Sequence, residues 1–138
     1  MKKVQIILTD FSKVSRLQPD WENNLGRAEY DSRKIYLSDK LPKRTMWGHR
    51  LILEHEKAHF YIHDAGLVLS KKQDELLADW LGLVRTPDKY LEINEKLLKD
   101  WIKDGLKGPQ VILRIVQLLG IGRPESYNFT AAALWRAM

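Results

Sequence analysis

Five consecutive residues, His55 to His59 (HEKAH), constrain this chain more than any other part of its 138 residues. Histidines four positions apart lie one turn apart on a helix, so both imidazoles can face the same point. Both ring nitrogens can then reach one metal ion at about 2.0–2.1 Å. In this H-E-x-x-H arrangement the histidines bind zinc, and the glutamate takes the proton of the attacking water. We therefore predict His55 and His59 as metal ligands and Glu56 as the general base.

The segment around the motif predicts a long helix that passes through a core. Residues 45–64 are rich in large apolar side chains, and Leu51, Ile52 and Ile62 follow the helical repeat on the side of the histidines. Gly66 is the expected stop signal. Buried imidazoles need a partner, which a metal ion supplies, so this context favours a metal site over a pair of solvated histidines.

A catalytic zinc site needs a third protein ligand and one open position. His63 extends the stripe of histidines, but it lies about 12 Å from His55 by helical rise alone. Glu75 is the better candidate, because it lies on a second predicted helix. Asp79 is its i,i+4 neighbour on the same face and can receive the N–H of a ligand histidine.

The second helix is predicted over residues 71–84. Ser70 and Gln73 fit a capping box at its start. Gly82 lies two turns beyond Glu75 and could let the two helices approach closely. The alternative is a solvated acidic pair that neighbouring lysines balance.

The two helices together resemble the gluzincin type of zinc metallopeptidase, in which H-E-x-x-H is followed by E-x-x-A-D. Among these the chain is most similar to the ImmA/IrrE family of phage, mobile-element and bacterial proteins. Residues 27–41 (RAEYDSRKIYLSDKL) resemble the family's hairpin, residues 59–63 (HFYIH) its extended motif, and Pro87 its proline after the glutamate helix. The likeness covers about residues 27–90.

The resemblance implies that His55, His59 and Glu75 bind one Zn²⁺ per chain, that Glu56 is the general base and that Asp79 orients a ligand. It implies hydrolysis of a peptide bond in a protein substrate, a helix-turn-helix repressor of a phage, mobile element or stress response. The ligand set alone would also accept Mn, Co or Fe. The alternative is a non-catalytic or latent zinc-binding module that binds a regulator without cleaving it.

The sequence leaves the contacts to a substrate open. The strand through residues 35–37 is expected to offer its edge to an extended peptide. Lys57 and the run at residues 80–83 (WLGL) depart from the family pattern and leave the substrate range open. The candidates for an oxyanion donor or another substrate contact are polar rings on either side of the motif: His63, Tyr61, Tyr36, His49 and Tyr90.

The order of elements predicts one α+β domain with a zincin-like fold. A short antiparallel or mixed sheet of about three strands packs on the active-site helix and the glutamate helix. The predicted strands cover residues 4–8, 27–30 and 34–38, with a hairpin turn at 31–33. This catalytic core spans residues 1–90.

A helical part, residues 91–138, is predicted to follow the core. One helix starts at Thr86-Pro87 and ends near Gly105, a second covers 109–119, and a short one lies in the tail after Pro124. The helix over 109–119 is strongly apolar. It is either the core of this part or an interface for a partner, and the sequence indicates no oligomeric state.

Composition excludes several classes of protein. The chain has no Cys, which excludes disulfides and thiolate metal sites. It has neither an apolar run of 18 residues nor a convincing signal peptide, so we expect a cytoplasmic protein without membrane contact. The net charge of +5 comes from basic residues spread along the chain rather than from a basic strip, and we do not expect direct nucleic-acid binding.

Overall fold

The computed structural model describes residues 3–11, 26–39, 49–86, 96–106 and 108–138. In these residues the chain is an α+β protein with a three-stranded mixed sheet and five α-helices, which confirms the predicted class. The elements in chain order are β1 (Gln5–Thr9), β2 (Gly26–Glu29), β3 (Lys34–Ser38), α1 (His49–Asp64), α2 (Lys71–Arg85), α3 (Lys96–Lys103), α4 (Pro109–Leu119) and α5 (Tyr127–Ala137), with a 3₁₀ turn (Pro124–Ser126) before α5.

The sheet packs one of its faces on α1. Alternate residues of a strand share a face, and Ile35 and Leu37 of β3 are both fully buried. They pack with Leu53 and Phe60 of α1 in one apolar cluster. The sheet is therefore fixed to the helix that carries the histidine motif.

The strand order is β1-β3-β2, which makes β3 the middle strand. It pairs in parallel with β1 and antiparallel with β2. The prediction that residues 35–37 offer an edge to a substrate is therefore wrong, because both edges of β3 are hydrogen-bonded. The parallel partner comes from a strand that lies well before the hairpin, and turn chemistry does not reveal such a pairing.

Local signals place both ends of the connection between α1 and α2. At the end of α1, Gly66 adopts a φ of +75°, and its N–H donates to the carbonyl of His63. At the start of α2, Ser70 and Gln73 form the predicted capping box in both directions. The short loop between Gly66 and Ser70 reverses the chain, so that α2 runs back along the side of α1.

Gly82 lies where α2 comes closest to α1. A Cβ atom at this position would be 3.1 Å from the backbone nitrogen of His55 and 3.2 Å from its Cα. Any larger residue would press on the main chain of α1. The predicted close approach of the helices is confirmed, and it occurs at the level of the first motif histidine.

The C-terminal helices pack on the α1–α2 pair through a second apolar cluster. Ala58, Leu81, Ile115 and Leu134 are fully or nearly fully buried in one core that draws on α1, α2, α4 and α5. Between α2 and α3, the rings of Trp80 and Trp101 stack with centroids 5.9 Å apart.

The apolar face of α4 belongs to this core. Val111, Ile112, Ile115 and Val116 are buried there, which supports the core interpretation of this helix. None of the helices in the described residues has the length and apolar character that a bilayer crossing requires.

The predicted start of the helix after α2 falls partly outside the described residues, which omit Pro87. Thr86 is described, and it closes α2. Its hydroxyl donates to the carbonyl of Gly82 at 2.7 Å, and its N–H donates to the carbonyl of Leu83.

Replacing Gly82 with Ala should lower the free energy of unfolding by about 1–3 kcal/mol, because the methyl group must displace the backbone at His55. Helix propensity alone predicts the opposite sign, a gain of about 1 kcal/mol. Urea denaturation followed by circular dichroism measures the difference. Equal or higher stability of Gly82→Ala would contradict the close helix contact.

Candidate metal centre

The two motif histidines bring their Nε2 atoms together. His55 and His59 project from successive turns of α1, and their Nε2 atoms are 3.2 Å apart. The rings meet edge to face, with centroids 4.8 Å apart and an angle of 88°. Two neutral imidazoles with facing lone pairs repel each other unless a cation lies between them. The arrangement therefore fits a metal ion.

Glu75 of α2 completes the arrangement from the neighbouring helix. One of its carboxylate oxygens lies 3.3 Å from Nε2 of His55, and the other lies 3.4 Å from Nε2 of His59. A tetrahedral zinc site with bonds of about 2.0–2.1 Å places neighbouring donor atoms about 3.3–3.4 Å apart. Each imidazole nitrogen thus has one oxygen of Glu75 at the separation expected between neighbouring ligands of such a site.

Glu56 lies within reach of the same point. The potential ligand atoms of His55, Glu56 and His59 all lie within 4.8 Å of one another, and this group could hold a metal ion. We prefer Glu75 as the third ligand, because each of its oxygens faces one imidazole nitrogen. Glu56 is instead buried against the start of β2, where a Cβ on Gly26 would be 3.0 Å from its Cγ.

Each imidazole is oriented by a carboxylate of α2. Nδ1 of His55 lies 2.7 Å from Oδ1 of Asp79, and Nδ1 of His59 lies 2.8 Å from Oδ1 of Asp74. A carboxylate that accepts the Nδ1 proton leaves the Nε2 lone pair free for a metal. Asp79 lies where its predicted role requires, whereas Asp74 was missed. The sequence could have indicated Asp74, because two ligand histidines need two acceptors for their Nδ1 protons.

Burial and charge shift the acid–base properties of the centre. Burial raises the pKa of the Glu56 carboxyl, and the adjacent histidines oppose the rise. Burial lowers the pKa of His55, but the hydrogen bond that its ring donates to Asp79 and the surrounding carboxylate charges outweigh this effect, so its pKa is raised. A carboxylate with a raised pKa is suited to take up a proton near neutral pH.

A cavity of about 420 Å³ opens beside the cluster. Its lining includes Gly26, Arg27 and Ala28 of β2, Glu56 of α1 and Glu75 of α2. This volume lies in the range of small-ligand sites, and it is large enough for a few residues of a peptide. The potential metal ligands therefore face accessible space rather than a closed core.

Two predicted substrate contacts lie away from this cavity. Tyr61 is 4% exposed and belongs to the core that α1 shares with the C-terminal helices. The hydroxyl of Tyr36 donates to Glu29 within the sheet, at 3.4 Å. The side chain of His49 and all of Tyr90 lie outside the described residues.

Tyr30 lines the cavity instead, although sequence reasoning did not select it. Its ring stacks on His63, with centroids 4.5 Å apart and planes at 7°. Burial raises the pKa of Tyr30 to about 12, and the charges of Asp74, Glu56 and Glu75 add to the rise. Its hydroxyl is therefore protonated at neutral pH. The only sequence signal was its position next to the hairpin turn.

Comparisons with protein-family models, with curated proteins and with solved structures give no match to this chain. The geometry of the centre and the motifs of the sequence are therefore the features that indicate a function.

The wild-type protein should bind about one Zn²⁺ per chain, and Glu75→Ala should lose it, because one of three protein donors is removed. His63→Ala serves as the control and should keep the metal, since His63 stacks on Tyr30 outside the cluster. Elemental analysis after dialysis measures the stoichiometry. A wild-type protein that stays metal-free in added zinc would contradict the site.

Asp74→Asn and Asp79→Asn should each lower the zinc affinity by about 10–100-fold, because a neutral amide supports the ligand imidazole less well than a carboxylate does. Asp104→Asn, an exposed carboxylate after α3, is the matched control and should leave the affinity unchanged. Competition with a chromophoric chelator gives the three dissociation constants. An affinity of Asp74→Asn equal to that of the control would remove Asp74 from the site.

Proposed function

We propose that this chain is a zinc-dependent metallopeptidase that hydrolyses a peptide bond in a protein substrate. The observation that carries the proposal is the pair of Nε2 atoms of His55 and His59, 3.2 Å apart beside an accessible cavity, each with one oxygen of Glu75 at 3.3 or 3.4 Å. Three protein ligands leave one position of a tetrahedral site for water or substrate, as in catalytic zinc centres.

The residues around the centre have different roles in the proposed hydrolysis. Zinc held by His55, His59 and Glu75 would polarise the scissile carbonyl and lower the pKa of water toward about 7. Glu56 takes the proton from the attacking water and delivers it to the leaving amine. Its burial supports this role, because a raised pKa lets the carboxyl hold the proton between the two steps.

We propose that the substrate binds along the edge of β2 that faces away from β3. Among the described residues, the strand order places β2 at one end of the sheet, with β3 as its neighbour. β2 also lines the cavity and begins at Gly26, which lies against Glu56. An extended peptide that adds to this edge would bring its backbone next to the general base.

The sequence resemblance names a substrate class. By its likeness to the ImmA/IrrE family, we propose a helix-turn-helix repressor as the natural substrate, cleaved in the cytoplasm. The motif pair at residues 55–59 and 75–79 supports this proposal.

A non-catalytic zinc module is the competing function, and the role of Glu56 separates the two. In a closed structural site Glu56 would be a fourth ligand, since its carboxylate lies within 4.8 Å of the histidine nitrogens. In a peptidase it is the base and does not hold the metal. Replacement of Glu56 should therefore leave the metal bound and abolish turnover in a peptidase, whereas it should release the metal in a structural site.

Glu56→Gln should keep one Zn²⁺ per chain and lower the rate of peptide hydrolysis by about 10²–10⁴-fold, because an amide cannot take the proton of water. The rate is measured by mass spectrometry on a peptide mixture from a digested proteome. Glu125→Gln, an exposed carboxylate in the 3₁₀ turn, is the matched control and should behave as wild type. A Glu56→Gln protein that loses zinc would favour the structural site.

A further inference from the structure

We propose that the Tyr30 hydroxyl donates a hydrogen bond to the carbonyl oxygen of the substrate as that oxygen gains negative charge, and that His63 is a positioning residue for the Tyr30 ring. The inference rests on the peptidase function proposed above. It supplies the oxyanion donor, which the motif residues leave unassigned.

Tyr30 lies at the right place to act on a substrate. It directly follows β2, the proposed substrate strand, and lines the same cavity as His55, Glu56 and His59. Within the described part of the chain its hydroxyl makes no hydrogen bond to another residue. A hydroxyl of a cavity-lining residue that has no protein acceptor among the described residues is available to a bound substrate.

The carboxylates of the centre line the same cavity as Tyr30. Glu56 of α1 and both Asp74 and Glu75 of α2 act on it through their charges. These three carboxylates surround the two histidines from different helices. Tyr30 therefore shares one cavity with the centre at which the carbonyl would be attacked.

Two aromatic neighbours fix the Tyr30 ring. The ring lies flat on His63, with centroids 4.5 Å apart, and meets Phe60 edge to face, with centroids 5.4 Å apart. Phe60 is fully buried and so provides a rigid wall. The stack with Tyr30 gives His63 a role that does not require metal binding. His63 lies four residues after His59, one turn further along α1.

The turn that carries Tyr30 is also tied to α1. The guanidinium of Arg33 donates to both oxygens of Asp64, at 2.8 and 3.0 Å, and lies 5.0 Å from the ring centroid of Phe60. The N–H of Arg33 donates to the Tyr30 carbonyl at 3.2 Å. A bidentate ion pair fixes geometry as well as distance. The donor is thus held before a substrate binds, as efficient oxyanion stabilisation requires.

The proposed step conserves atoms and charge. The oxygen of water adds to the carbonyl carbon, the C=O π electrons move to the carbonyl oxygen, and Glu56 takes the proton of the water. Tyr30 donates its hydrogen bond to that oxygen and keeps its own proton. When the carbonyl re-forms, the C–N bond breaks, and the amine leaves with the proton from Glu56.

The direct test is Tyr30→Phe, which keeps the ring and its stack on His63 but removes the hydroxyl. We expect unchanged zinc content and thermal midpoint, and a kcat lower by about 10²–10³-fold with KM changed much less. Tyr36→Phe is the matched control, because it removes a hydroxyl that lies in the sheet, bonded to Glu29. Its kcat should equal that of wild type.

The positioning role of His63 is tested by His63→Phe against His63→Ala. Phenylalanine restores a flat ring that neither binds metal nor carries a proton. We expect His63→Phe to keep most of the wild-type kcat and its pH profile, and His63→Ala to lower kcat by about 10-fold, with one Zn²⁺ retained in both. If His63→Phe is as slow as His63→Ala, the stacking role is wrong.

The failure of this inference can be separated from the failure of the proposed function. A wild-type kcat in Tyr30→Phe, measured where Glu56→Gln is inactive, would overturn the role of Tyr30 and leave the peptidase in place. Loss of zinc from Tyr30→Phe would also overturn it, since the residue would then be structural. If wild type shows no hydrolysis above Glu56→Gln, the peptidase function fails, and the inference fails with it.

Discussion

The approach of α2 to α1 at His55 is the contact on which the candidate site depends. Gly82 brings the backbones so close that a Cβ would lie 3.1 Å from the His55 nitrogen. At that separation the carboxylates of α2 reach the imidazoles of α1, with the two orienting bonds at 2.7 and 2.8 Å. Charge-assisted hydrogen bonds of this length tolerate little displacement. A small increase in the helix separation would therefore loosen both orienting bonds and the contacts of Glu75 with the two imidazoles together.

This packing concentrates negative charge at one place. Asp74, Glu75 and Asp79 lie on one side of α2, opposite the buried Glu56 of α1, and ionised carboxylates this close repel one another. The helix start offsets part of the repulsion, because Asp74 lies in the first turn of α2, where the helix dipole favours an anion. A divalent cation at the centre would offset much more, so metal binding should be coupled to the stability of the helix pair.

Local rules predicted much of the site, and non-local packing decided the rest. The i,i+4 spacing of His55 and His59 and the turn at residues 31–33 depend only on neighbours in sequence. The middle position of β3 depends on a parallel partner far back in the chain. Tyr61 could have been set aside from sequence alone, since two residues after His59 it points to the other side of the helix. Tyr30 could not have been identified from sequence alone, because its position beside the cavity depends on how the hairpin packs onto α1.

In this fold, the residues that could bind a metal and those that could contact a substrate lie largely on different elements. The potential ligands and their orienting carboxylates all come from α1 and α2, whereas β2 and Tyr30 form the remaining walls of the cavity. The sheet and the C-terminal helices pack on α1 through two different apolar clusters. The turn of the hairpin is also joined to α1, through Arg33 and the aromatic pair. Variation at the cavity-lining positions of β2 can therefore change what the cavity accepts while leaving the helix pair, and the candidate metal centre, intact.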